Sequence, residues 1–438
     1  MSSQLLAIWE HARGSYWFLP SLMVVAAFGL SLASIAIDDL VGAQWLDESR
    51  WLYTNKAEGA RTLLGTIAGS MIGVAGVSFS ITIATFAQAA IQFGPRLISN
   101  FMRDRGNQAV LGTLLATFVF ALMILRTIQA STESSPAFVP HVSILLALAL
   151  SLVSLGMLIF FIHHIPESID VSNMVARIGR GLDERLRALP EIDAEKIDIL
   201  AREDSASEGF QICGDSCGYV LRIDESRLLR IACEADMVIR LDAVPGDFVR
   251  ADETLASVTQ AERVDEELRK RLAGAFVIGQ QRSPTQDILF LFDELVEVAT
   301  RALSPSANDI FTAIACMHWL GNALARGIDR EFGFASQMDG SGSARLIGRC
   351  IPFEVVLDRV CDTLRPSAEK DPTAALQFLE MLAGLKDRQI SVQQRNRLLD
   401  HVEALRSGSM LALRSPRDRQ VVERRANTLI ETLENRHE

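Results

Sequence analysis

Charged residues vanish from the chain between Arg61 and Arg96. As a helix rising about 1.5 Å per residue, the uncharged run Thr62 to Pro95 is longer than a bilayer core of about 30 Å. Three more apolar runs accompany it. One extends from about Trp17 to Ile37, opened by Trp17 and Phe18 and closed by Asp38 and Asp39. Another covers Val110 to Leu125 and closes at Arg126; the last covers Val142 to Ile162 and closes at His163 and His164. With its flanks each reaches the roughly 17–25 residues of a spanning helix. The first run starts too late and is too long for a signal-peptide core, so it reads as a span.

Beyond the fourth run the pattern changes. Ile169, Val171, Met174, Ile178, Leu182 and Leu186 recur at helical steps and predict an amphipathic helix from Pro166 to about Leu189. Short strand-like runs follow at Tyr219–Ile223, Asp236–Val244, Phe248–Arg250 and Leu255–Val258, with a turn at Pro245-Gly246-Asp247 and a helix inserted at Ser226–Glu234. These predict a small β-barrel or sandwich. From Gln260 onward the periodicity is helical, ending in a charged helix with an apolar stripe at Val422, Ala426, Leu429 and Leu433, suited to docking or oligomer contact. The expected fold is thus an α-helical membrane protein with four transmembrane helices, followed by a cytoplasmic α+β part. Its expected segments are a transmembrane domain over 1–165, a connecting helix and linker over 166–207, a β module over 208–260 and a helical domain over 261–438.

Basic residues set the expected orientation. The link between spans two and three carries Arg96, Arg103 and Arg105, whereas the link from Gln129 to His141 carries none and holds Glu133. The first link mixes Arg50, Lys56 and Arg61 with five acids and decides nothing alone. Both termini are therefore expected in the cytoplasm. Leu97, Ile98 and Phe101 among the arginines suggest a short surface helix holding the inner loop.

The second span is not a plain anchor. Gly65, Gly69 and Gly73 repeat every fourth residue, with Gly76 beyond, which permits close approach of another helix. Thr62, Thr66 and Ser70 share the glycine face, while Ser78, Thr82, Thr85, Gln88 and Gln92 form a second stripe offset by about a third of a turn. Tight packing inside the four-helix unit is one reading. The other is a pore wall, aligned by a bend near Gly73 to Gly76. No span carries a charge at its middle, which speaks against a proton relay or a strongly charge-selective filter.

The net charge of −11 and the lack of a basic, aromatic-rich patch exclude nucleic acid as an expected partner. The six cysteines all lie after the spans. Cys213, Cys217 and Cys233 are spaced like a partial zinc set without a fourth ligand, so free thiols are the favoured reading. No phosphate loop, dinucleotide fingerprint, zinc-protease or serine-hydrolase motif is present, so neither an enzyme nor a cofactor is expected, the weaker alternative being an activity around Arg282–Asp309. One constellation stands apart: Arg282, Asp287, Arg301, Asn308 and Asp309 bracket a predicted helix. They serve as helix caps, or else as a polar network at a ligand or subunit interface.

Four segments resemble signatures of the bacterial membrane proteins grouped as domain-of-unknown-function family 2254. They are Phe93-Gly-Pro-Arg-Leu-Ile-Ser-Asn-Phe-Met-Arg-Asp-Arg-Gly-Asn-Gln108, Cys217-Gly-Tyr-Val-Leu-Arg-Ile-Asp224, Pro245-Gly-Asp-Phe-Val249 and Arg301-Ala-Leu-Ser-Pro-Ser-Ala-Asn-Asp309-Ile-Phe-Thr-Ala313. Ile310 stands where the family pattern usually has proline, and Asp252 or a neighbour where it usually has glycine. The resemblance implies a bacterial inner membrane and brings no reaction with it. The function expected from the sequence is an oligomeric inner-membrane protein with a channel-like pore lined by the second span and regulated by the cytoplasmic part. The alternative is a membrane-tethered sensor or scaffold that binds a cytoplasmic partner without transport. Expected partners are the lipid bilayer, further copies of the chain and an unidentified cytoplasmic protein.

Overall fold

The computed structural model describes residues 16–41, 57–93, 104–129, 138–191, 209–330, 332–386, 388 and 390–435. The described residues divide into two compact units, one ending at Asp170 and one beginning at Val171.

The first unit is built from four helices: α1 Phe18–Val41, α2 Ala57–Phe93, α3 Arg105–Thr127 and α4 His141–Ile169. All four are long and apolar enough to cross a membrane. α3 is the hub and packs against the other three. Its Phe120, Ala121 and Ile124 meet Leu64 and Ala68 of α2 and Ala147 of α4 in a dry core. α3 starts earlier than its apolar run because the Asp104 carboxylate accepts the Gly106 N–H at 2.8 Å and caps the helix. The expected inner-loop helix around Leu97 to Phe101 lies outside the described residues.

Polar contacts fix the helix ends where lipid offers no substitute partner. Asp38, at the end of α1, accepts the Val142 and Ser143 N–H groups at 2.8 and 3.0 Å and the Ser143 hydroxyl at 2.6 Å. A carboxylate of one helix thereby caps the start of another, where the helix dipole favours negative charge. At the same end, Arg61 donates to the Ile128 carbonyl at 2.9 Å, closing α3. Midway, the hydroxyls of Thr117 and Ser154 join α3 to α4 at 2.8 Å. Replacing Asp38 by Ala should cost about 1.5–3 kcal/mol, the range for hydrogen bonds to a charged group. Asn, which keeps one acceptor oxygen, should lose less. Thermal unfolding of the purified protein in detergent measures both; equal loss for Ala and Asn would refute the capping role.

The second unit begins with α5, Val171–Ala188, set off from α4 by the extended backbone at Asp170. The predicted apolar residues Met174, Ile178, Leu182 and Leu186 are buried. Gly179 lies so close to Trp319 that any side chain there would collide with the indole. The strands are β1 Phe210–Cys213, β2 Gly218–Ile223, β3 Ile239–Leu241, β4 Phe248–Val249 and β5 Thr254–Val258, with helix α6 Glu225–Ala235 between β2 and β3. Helix α7 Glu266–Ala273 and strand β6 Phe276–Gly279 follow. Helices α8 Leu289–Ala302 and α9 Ile310–Gly327 precede short strands β7 Phe332–Gly333, β8 Gln337–Met338, β9 Ala344–Ile347 and β10 Cys350–Ile351. Helices α10 Phe353–Ala368, α11 Pro372–Ala383, α12 Val392–Ala412 and α13 Pro416–Glu434 end the unit.

One expectation needs correction. The chain after Gln260 is not purely helical, because β6 pairs with β2 and β9 pairs in parallel with β3. The described strands form three separate ladders, β1-β5-β3-β9-β8, β4-β2-β6 and β10-β7, and none closes into a barrel. One apolar core nevertheless joins the two larger ladders, with Ile212, Val220, Ile239, Leu255, Phe276 and Leu346 buried together. In α13 the stripe Val422, Ala426, Leu429 and Leu433 is buried against the chain itself.

Candidate functional site

Two places carry the residues singled out above. The first is α2. Its helical hydrogen bonding runs from Ala57 to Phe93 without a break near Gly73 to Gly76. Ala60, Leu64, Ile67, Ala75, Ser78 and Thr82 are buried on one face. At about 100° per residue, Thr62, Thr66, Gly69, Gly73, Gly76 and Ser80 fall on the opposite face, and all are exposed. A Cβ added at Gly65, Gly69, Gly73 or Gly76 would meet nothing within 4 Å. These glycines therefore do not make the close packing inside the four-helix unit that one reading of the sequence expected. Ser78 and Thr82 do face inward, where Thr82 hydrogen-bonds the phenol of buried Tyr16. Of the remaining stripe, Thr85 is half-buried and Gln88 exposed, while the side chain of Gln92 lies outside the described set. The hydroxyls of Thr62 and Thr66 return to carbonyls one turn back, at 2.9 and 2.8 Å. That lets the outward face meet either water or another helix.

The second place is the polar network. Arg282 donates to Asp287 at 2.8 Å through Nε and also reaches Asp293. Arg359 binds Asp293 with two hydrogen bonds of 2.6 and 2.7 Å. Arg282, Asp287 and Asp293 are only 12%, 2% and 14% exposed, so this chain of charges is largely inside the protein. The other Asp287 oxygen accepts the Phe290 N–H at 3.1 Å and caps α8. Burial pushes the Asp287 carboxyl above its ordinary value, against the pull of Arg282. At Asp293 burial acts in the same direction, but Arg359 and Arg282 outweigh it and hold the carboxyl below the usual range. Gly246, at φ +99°, sits in the Pro245-Gly246-Asp247 turn so close to Asp287 that a Cβ would collide with the carboxylate.

Arg301, Asn308 and Asp309 do not join this network. Arg301 pairs with Glu297 one turn away, at 3.1 Å. Asp309 caps α9 by accepting the Thr312 N–H at 3.1 Å and its hydroxyl at 2.6 Å. Asn308 is exposed, in the left-handed conformation that asparagine tolerates. The sequence reading missed Asp293 and Arg359. Asp293 lies on the helix between the two named motifs, and its charge within the apolar run Leu289–Val298 was the available signal.

His163 and His164 part company. His164 pairs with Asp104 at 2.8 Å and stacks on Phe160, tying the start of α3 to the end of α4. His163 is exposed and meets Glu167 at 3.3 Å. No cysteine is held in a disulfide. Cys217, Cys233 and Cys350 are exposed, Cys213 is half-buried, and Cys316 and Cys361 are buried. Among the described residues no group of three or more His, Cys, Asp or Glu is placed to hold a metal. Burial pushes the Cys316 thiol up to about 12 and raises Cys361 as well. Since the thiolate is the reactive form, iodoacetamide at pH 8 should label Cys217 and Cys233 in the folded protein and reach Cys316 and Cys361 only after unfolding. Peptide mass spectrometry checks this; early labelling of Cys316 would contradict its burial.

Four helices of membrane-crossing length, joined to a large mixed α/β unit, define a multi-span membrane protein. The chain belongs to the family described as Predicted membrane protein (DUF2254), which it matches over residues 13–384. It is similar to the uncharacterized protein Rv1290c of Mycobacterium tuberculosis, with 27% identity over 397 residues covering 87% of this chain and 74% of that one. The uncharacterized protein Mb1321c of Mycobacterium bovis shows the same identity and coverage. No solved structure matches significantly.

Proposed function

We propose that the protein is an oligomeric inner-membrane protein in which α2 helices of several copies line a channel-like path, with the 171–438 unit in the cytoplasm as its regulator. The observation that carries this reading is the outward face of α2. Glycines, threonines and serine gain nothing from lipid tails, but they let backbones approach closely or line a wet path. Between Thr62 and Ser80 the face carries no charge, which fits a weakly selective path rather than a proton relay. Planar-bilayer recording of the purified protein tests it. Discrete conductance steps are expected; silence across a range of voltage, pH and ions would remove the pore. A scaffold without transport is the second reading, favoured by Phe311 and Leu411, which are 84% and 87% exposed and suit a protein partner. A protein recovered in fixed ratio from native membrane, with no conductance, would decide for it.

A further inference from the structure

Within the 171–438 unit, a cavity of about 230 Å³ lies beside the Asp287 network. Val244, Pro245, Ile288, Phe334 and Ile351 supply apolar walls. Three side chains bring functional polar groups: Glu225, Gln286 and Asp287. Two of them are already satisfied. Gln286 accepts the Ile223 N–H at 2.8 Å and donates to the Ile223 carbonyl at 3.2 Å. Asp287 is held by Arg282 and the Phe290 N–H.

Glu225 differs. One carboxylate oxygen accepts the neutral Gln337 amide at 2.8 Å, and no cation pairs with it among the described residues. Burial raises its pKa, with the Gln337 hydrogen bond opposing and Asp224 adding to the rise. The nearby guanidiniums act elsewhere: Arg282 binds Asp287 and Asp293, and the charge of Arg185 acts on Asp287. A half-buried carboxylate facing an apolar-walled cavity lacks one thing, a compact cation.

We propose that this cavity binds a small organic cation, a primary ammonium with a short apolar tail, whose charge docks on Glu225. The space is well above what a single water needs and has room for a short alkylammonium. The inference is independent of the pore reading, because its test measures binding and not conductance.

The full chain, purified in detergent at pH 8, is titrated with n-butylammonium chloride. Butan-1-ol serves as the uncharged analogue and sodium chloride as the ionic-strength blank. Calorimetry and thermal melting are expected to show saturable binding of the ammonium and none of the alcohol. Glu225→Gln keeps the size and a partner for Gln337, and should weaken binding at least tenfold. Ala335→Leu, which fills the cavity from its wall, should do the same. The proposal falls if the wild type shows no saturable ammonium binding, if the alcohol binds as well, or if Glu225→Gln binds unchanged. The comparison of ammonium with alcohol on the wild type decides even where a variant fails to fold.

Discussion

Arg282→Met should destabilise the protein by about 3–5 kcal/mol, the cost of breaking a buried ion pair from one side. Methionine keeps much of the apolar stem but removes the donors that Asp287 and Asp293 accept. Asp293 retains Arg359, whereas Asp287, only 2% exposed, loses the guanidinium that compensates its charge. The effect should depend on pH, and its sign follows from the two carboxyls. Asp287 has a raised folded pKa, so its contribution to stability is complete below the unfolded value near about 3.9. That contribution is lost as pH rises through the folded pKa. Asp293 has a lowered pKa, so its contribution is present above the unfolded value and is lost as pH falls through the folded one. Removing Arg282 pushes Asp287 further up and weakens the hold on Asp293. The deficit of the variant should therefore be larger at pH 8 than at pH 5. Thermal unfolding at the two pH values measures it. A loss under about 1 kcal/mol at both, as for an exposed pair, would mean the network carries no such charge inside the protein.

That network also shows where sequence reasoning reaches and where it stops. Arg282 and Asp287 were visible because they bracket the start of an apolar helix, and they do meet. Arg301, Asn308 and Asp309 looked equivalent in sequence yet belong to a local ion pair and a helix start, because capping rewards the same residue types. Arg359, on α10, reaches Asp293 across the fold, and no local spacing announces such a partner. The same limit applies to the sheets. β2 and β5 carry enough alternation to be read directly, but β7, β8 and β10 are two residues each and leave no period. The four long helices were legible because membrane-crossing length dominates any other pattern. Which face of α2 turns inward was not. Ser78 and Thr82 look as wet as Thr62 and Thr66 on paper, and only the packing against Tyr16 and α3 separates them.

Replacing Gly69 and Gly73 together by Leu should leave the single chain as stable as before and abolish the assembly proposed above. Within the chain an added Cβ at either position meets nothing within 4 Å, so the four-helix unit has no reason to shift. Leucine is the better helix former by about 0.5–1 kcal/mol per site, and it is more comfortable against lipid. Any loss must then come from a surface outside the chain. If α2 meets α2 of another copy through this face, two leucines hold the backbones apart and remove the contact that small residues allow. The expected result is an unchanged melting temperature of the dispersed protein, a shift of the detergent-solubilised particle to the monomer mass, and lost conductance. Gly65→Leu, half-buried nearer the edge of the face, should act more weakly. An unchanged particle mass with lost conductance would place the face on the path rather than at the seam between copies. Unchanged mass and conductance together would leave the glycine face to lipid alone and overturn the assembly.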